Sequence, residues 1–248
     1  MASYSDGFNR ASLGTDWPST LNGGTWNIVS SVRARQTQST GTYRGLRYVS
    51  PMATADVDVT VVFRASSGAG GGVLVRAPES GTATADIDGY AILAFAGDAF
   101  YIVRMDGGDD GGVGYGYSWG SVTAGTDYTL RITVQGTTVT GYVDGTQRFT
   151  FGDSTYTGGS GGRGVALLSY GATPEWDSFS AADIVSSQTI SPPLIASTET
   201  VYSPTVTQTG GGQTIQPGRI ESSATVYNPT VTQTGPAQTI SPPPIAPA

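Results

Sequence analysis

The chain has 248 residues, 36 of them glycine, with charge on only 12% of positions and a net charge of −7. Cysteine and histidine are both absent, which excludes disulfides, thiolate or imidazole metal sites, thiol nucleophiles and imidazole acid–base steps. All twelve basic residues are arginine and none form a run, so neither nucleic acid nor an anionic membrane surface is an expected partner.

The opening residues, MASYSDGFNRAS, lack a basic stretch followed by an apolar one. No secretory signal is therefore expected. The longest apolar runs, such as 90–96, are far too short to span a bilayer, so membrane insertion is not expected either. From residue 56 onward the pattern is period two or a short apolar run, broken by Gly, Asp and Ser. Strands are predicted over 25–30, 44–49, 56–65, 72–77, 90–96, 100–105, 127–135, 138–143, 146–151, 164–169 and 176–181. Gln135-Gly136 and Asp144-Gly145 supply two hairpin turns, since an X-Gly pair provides the positive φ angles that a two-residue loop needs. No segment shows a helical stripe. Strands with short turns and no interleaved helices predict an all-β, two-sheet antiparallel sandwich.

After Ile184 the aromatics nearly vanish, Pro, Thr, Gln and Ser take over, and a 25-residue repeat begins. Copies start at Gln188 and Gln213, and a partial third copy occupies 238–248. The positions in register are Ile190, Ile215 and Ile240; Ile195, Ile220 and Ile245; Val201-Tyr202 and Val226-Tyr227; and Pro204 and Pro229. This divides the chain at 1–184 and 185–248. A Pro-rich stretch ordinarily reads as a linker. The in-register apolar residues and strand-like TVYSPTVTQ and TVYNPTVTQ instead predict a tail ordered by packing, serving anchoring or oligomerisation. About three stacked copies are normally needed for stability.

The stretches DGFNRASLGTDWPSTLNGGTWNI, DYTLRITVQGTTVTGYVDGTQRFTF and GVALLSYGATPEWDSFSAADI resemble, in that order, the laminin-G-like (concanavalin-like) domains of bacteriophage tail and virion proteins. The resemblance spans about residues 4–184, and the tail is similar to repeats of phage structural proteins. It implies a jelly roll of about 12 to 14 strands plus β/Pro-rich repeats, with the first and last strands adjacent. Phe8 and Phe179 would then be neighbours in the core, and Trp26 and Trp176 sandwich residues. The family includes sugar binders, enzymes and scaffolds, so the fold alone leaves function open.

No catalytic residue is identified. A glycosidase needs two carboxyls about 5–9 Å apart. The four glutamates (Glu79, Glu175, Glu199 and Glu221) form no Glu-x-Asp-x-x-Glu pattern, and Asp56 and Asp58 alternate as a solvated face would. Calcium is the ion that clustered oxygen ligands suit best, with Asp106, Asp109 and Asp110 in MDGGDDGG and Asp86 and Asp88 in ADIDGY as candidates, although such Asp-Gly stretches are more often simple hairpin turns. Tyr115, Tyr117 and Trp119 alternate in GGVGYGYSWGS, giving one aromatic face for a glycan or for the core.

The function expected is a non-enzymatic virion structural or decoration protein, made in the host cytoplasm and displayed on the particle surface at capsid or tail. Its partners would be other virion proteins, further copies of itself (a trimer included) and a host-surface glycan. The alternative is a carbohydrate-binding module or adhesin, and a glycoside hydrolase is the outsider.

Overall fold

In the computed structural model the described residues are 1–38, 41–81, 87–108, 116–159, 161–171 and 173–184, plus four short strands of the tail. Residues 2–184 form one compact unit and 185–248 another. No helix forms among the described residues.

The first unit holds fifteen strands: β1 (Ser3–Asp6), β2 (Ser19–Leu21), β3 (Trp26–Val29), β4 (Arg33–Gln36), β5 (Tyr43–Arg47), β6 (Val57–Arg64), β7 (Gly70–Ala77), β8 (Gly89–Phe95), β9 (Phe100–Met105), β10 (Gly116–Trp119), β11 (Asp127–Gln135), β12 (Thr138–Val143), β13 (Thr146–Gly152), β14 (Gly164–Tyr170) and β15 (Glu175–Asp183). They make two antiparallel sheets. One runs β13-β12-β11-β6-β15-β4-β3, with β1 also on β15, and the other runs β10-β9-β8-β7-β14-β5-β2. The all-β sandwich expected from the sequence is the fold found, with one strand more than the upper expectation. The Asp144-Gly145 turn has both residues at positive φ. The first hairpin turns one residue later than expected: β11 runs through Gln135, so the two loop residues are Gly136 and Thr137, and only Gly136 has positive φ.

The two sheets are built from different sequence patterns. In β6, Val57, Val59, Val61 and Phe63 are buried while Asp58, Thr60, Val62 and Arg64 alternate outward. On that outer face Asp127 accepts from Arg64 and Asp58 from Arg131 between the neighbouring strands β6 and β11, and Asp127 also accepts from Arg33 of β4. Such exposed pairs are worth little individually. The seven-stranded sheet differs: β7 is buried at every position, and β8 and β14 at all but their last. Its inner face joins the inter-sheet core through Val73, Val75, Ile92, Ala94 and Ile102. The alternate residues Leu74, Ala91, Leu93, Val103, Ala166 and Leu168 form a second apolar cluster on the outer face.

Trp176 links the layers. It is fully buried, its ring lies 5.0 Å from Trp26 and 5.2 Å from Phe63, and its Nε1–H donates to the Gly72 carbonyl across the sandwich at 2.9 Å. Gly71 makes room for it, and Gly72 for the close approach of β8. A Cβ on Gly71 would strike the Leu168 carbonyl and lie 3.2 Å from the Trp176 ring, and one on Gly72 would strike the Ile92 carbonyl.

The first and last strands of the sandwich are adjacent, as the resemblance implied. β1 pairs with β15, and Trp17 bridges Phe8 and Phe179 at ring distances of 5.7 and 5.0 Å. Asp6 organises this corner, accepting from the Phe8 amide, Arg10 Nη1 and Trp17 Nε1, each at 2.7 Å. The amide bond holds Phe8 at φ 51°, a left-handed conformation that costs a non-glycine residue about 1–2 kcal/mol. Burial raises the Asp6 pKa, but the bonds from Arg10, the Phe8 amide and Trp17 outweigh it and leave the carboxyl below its ordinary value.

A lowered folded-state pKa adds stability that is fully present above the unfolded value near about 4 and is lost as pH falls through the folded value. Asp6→Asn is therefore expected to destabilise by roughly 2–4 kcal/mol at neutral pH, read as a shift in the urea midpoint. Its stability should also decline less steeply than wild type below about pH 4.

Candidate functional site

The outer face of the seven-stranded sheet carries a groove of about 550 Å³ lined by Thr42, Tyr43, Leu93, Phe95, Asp98, Tyr101, Val103 and Tyr170, with Gly41 and Gly108 at its margin. Its size falls within the roughly 300–1,000 Å³ typical of small-ligand sites.

Strand register builds its aromatic wall. Tyr43 on β5 pairs with Tyr170 on β14, Tyr170 with Gly70 on β7, and Gly70 with Phe95 on β8. Direct cross-strand partners share a face, so these residues form a row across four strands. The missing side chain at Gly70 lets the row close: a Cβ there would lie 2.5 Å from the Phe95 ring and 2.6 Å from the Ala94 carbonyl oxygen. Ring centroids step 5.0 Å from Tyr43 to Tyr170, 5.8 Å to Phe95 and 5.7 Å to Tyr101 on β9. Tyr43, Leu93 and Val103 are buried at the floor, while Phe95, Tyr101 and Tyr170 are half-buried.

Asp98 supplies a carboxylate at the rim. It sits in the β8–β9 turn, where Gly97 has φ 79° and the Val122 amide donates to the Asp98 carbonyl at 2.9 Å. The Tyr101 hydroxyl donates to Asp98 Oδ2 at 2.8 Å, fixing ring and carboxylate together. Asp98 is the one carboxylate among the described lining residues. The groove therefore offers apolar ring edges and one oriented acceptor, but no carboxyl pair for acid–base chemistry.

The residues singled out from sequence lie elsewhere. Trp119 pairs with Phe100, a core residue, so it points to the inner side of β10 at the sandwich edge. Its ring is 39% exposed, lies 5.7 Å from Phe100 and carries the Arg148 guanidinium carbon 3.8 Å from its centroid. Tyr117 holds the register position opposite Ile102, and Tyr115 lies outside the described residues. Asp106 is exposed at the end of β9, on the side where Asp88 precedes β8, and Asp88 accepts from the Gly107 amide at 2.6 Å. Asp86, Asp109 and Asp110 lie outside the described residues, among which no three metal-ligating side chains come together.

Glu79 pairs with Arg163 at 2.9 Å, and Glu175 is engaged by Arg35 and lies 3.8 Å from Arg33. In the tail, Ile190 pairs with Ile215. Ile195, Val201, Tyr202, Pro204, Ile220, Val226, Tyr227, Pro229, Ile240 and Ile245 lie outside the described residues, as do Glu199 and Glu221.

No protein-family model and no curated protein sequence matches the chain. Solved structures do. A carbohydrate recognition domain of Emp46p aligns with a TM-score of 0.54 at 14% identity, over 73% of this chain and 97% of that one. A protein of unknown function with a galectin-like fold from Bacillus subtilis gives 0.53 at 12%, over 73% and 94%. A prokaryotic β-1,3-1,4-glucanase (lichenase) derived from a mouse hindgut metagenome gives 0.52 at 9%, over 74% and 100%. At these identities the likeness is one of fold, a jelly-roll sandwich of the galectin and concanavalin kind.

Gly70→Ala tests how the wall is built. The added methyl must displace Phe95 or part β7 from β8, at an expected cost of about 1–3 kcal/mol. The thermal midpoint should fall, and the near-ultraviolet circular dichroism of the aromatic row should change with it.

Proposed function

We propose that the chain is a non-catalytic carbohydrate-binding protein whose sandwich takes a neutral oligosaccharide in the groove on the outer face of the seven-stranded sheet. The observation that carries this reading is the Tyr43–Tyr170–Phe95–Tyr101 row with Asp98 held against Tyr101. Pyranose rings present apolar C–H faces to aromatic walls and hydroxyls to an oriented acceptor. The Asp98 carboxylate and the net charge of −7 disfavour acidic glycans. The likeness to a carbohydrate recognition domain supports the reading at the level of architecture.

Titration calorimetry against a panel of neutral oligosaccharides tests it. Phe95→Ala and Tyr101→Ala are each expected to weaken binding at least about tenfold, or about 1.4 kcal/mol, with the fold retained and no reducing ends released. Binding lost in Trp119→Ala but kept in those two variants would move the site to the β10 edge and overturn the groove assignment. The described lining holds a single carboxylate, so binding is expected to survive chelation. Loss on chelation would instead point to the Asp88–Asp106 end as a calcium site.

A second reading, a bacteriophage virion protein displayed on the particle surface, draws on the tail, whose successive repeats pair strand on strand. Repeats stacked in this way suit a role in assembly more than a linker. The chain would then sediment with particles and lose that association when residues 185–248 are removed; sedimentation that survives the deletion would contradict a tail anchor.

A further inference from the structure

The tail has four described strands: β16 (Thr189–Ile190), β17 (Val206–Thr209), β18 (Thr214–Ile215) and β19 (Val231–Thr234). They pair in parallel, β16 with β18 and β17 with β19. Every pair joins a residue to its own counterpart one repeat later: Thr189 with Thr214, Ile190 with Ile215, Val206 with Val231, and likewise through Thr209 with Thr234. Each repeat is thus one rung, laid in register on the next.

Among the described residues each of these sheets has two strands. A two-stranded sheet is marginal in water, and stacked repeats normally need three rungs or more. This chain has no earlier rung to add. One period before β16 and β17 stand residues 164–165 and 181–184, and Gly164–Tyr170 and Glu175–Asp183 are strands of the sandwich already paired within its two sheets.

We propose that the upstream edge of this first rung is filled by a second copy of the chain, its β19 pairing in parallel and in register with β17. The sequence that already pairs with Val206–Thr209 is the identical Val-Thr-Gln-Thr at 231–234. A second copy offers that same strand, with every residue facing its own kind as in the observed rung. The strands carry no charge, so the like-charge repulsion that commonly blocks sheet edges is absent. Stacking of this kind is heterologous, one edge of each copy meeting the opposite edge of the next, so it builds a ring or a row rather than a closed two-fold pair. Copies joined through their tails would present several sandwiches together, and linked weak sites gain roughly 10²–10⁴ in avidity. That consequence rests on the carbohydrate reading, whereas the association itself does not.

The absence of cysteine from the sequence permits a direct test on the full chain. Light scattering on the unmodified protein is expected to give at least twice the chain mass. Neighbouring strands lie about 4.8 Å apart, within reach of a disulfide. A chain bearing Thr207→Cys mixed with a chain bearing Thr232→Cys should then oxidise to a mixed dimer. Each partner carries a single thiol, so no intramolecular bond competes. A monomer at every concentration overturns the proposal. So does a multimer whose chains cross-link only like with like, or not at all. Glycan titration of the same samples reads the sandwich separately, so failure of one proposal is distinguishable from failure of the other.

Discussion

The sandwich depends on a hydrogen bond between its layers, from the Trp176 indole to the Gly72 carbonyl. An indole N–H buried without an acceptor would cost about 1–3 kcal/mol, so a tryptophan this deep needs a carbonyl within reach. Backbone carbonyls in a sheet normally point along it toward neighbouring strands. Here the glycine run Gly70–Gly72 brings β7 close enough to its neighbours and to Trp176 for both demands to be met. Trp26 and Phe63 then close around the indole, and β15 takes its place between β6 and β4.

The same run shapes the opposite face. Gly71 lies against the Trp176 ring on the inner side, and Gly70 leaves the space on the outer side that Phe95 occupies on its way to Tyr170. The groove is therefore built into the sheet that carries the core and is not a loop feature added to it. An outer face made of Leu, Ala, Val and aromatic residues departs from the polar exterior usual in a sandwich. Leu74, Ala91, Ala166 and Leu168 on it are buried, and the half-buried Phe95, Tyr101 and Tyr170 are its accessible part. The eight-stranded sheet shows the contrast, with its outward positions filled by arginine–carboxylate pairs.

Much of the architecture was legible because period-two alternation and Gly-marked turns are local signals. All eleven strands expected from pattern are present, the first hairpin turning one residue later than expected. The missed sandwich strands β1, β2, β4 and β10 are three or four residues long, and Arg-Ala-Arg-Gln or Ser-Thr-Leu shows no usable period. They exist because distant strands offer edges to them, which no local window reveals. The groove was not legible. Tyr43, Phe95, Tyr101 and Tyr170 sit in four separate strands, each beside apolar residues where a core role is the ordinary inference. One signal was available: GYAILAF and GVALLSY are apolar at consecutive positions, so both faces of those strands must be covered, and only one can face the other sheet. The alternating aromatics at 115–119 form a face in the sequence only because they are close together along it. Register instead sets Trp119 beside Phe100 on the inner side.

The most direct measurement is a nuclear magnetic resonance titration of the protein with the tightest neutral oligosaccharide, following backbone amides and aromatic rings. Shifts concentrated at Tyr43, Phe95, Asp98, Tyr101 and Tyr170, with β10 and the eight-stranded sheet unchanged, are the predicted result. Shifts confined to Trp119 and Arg148, or spread over the arginine–carboxylate face, would contradict a site on the outer face of the seven-stranded sheet.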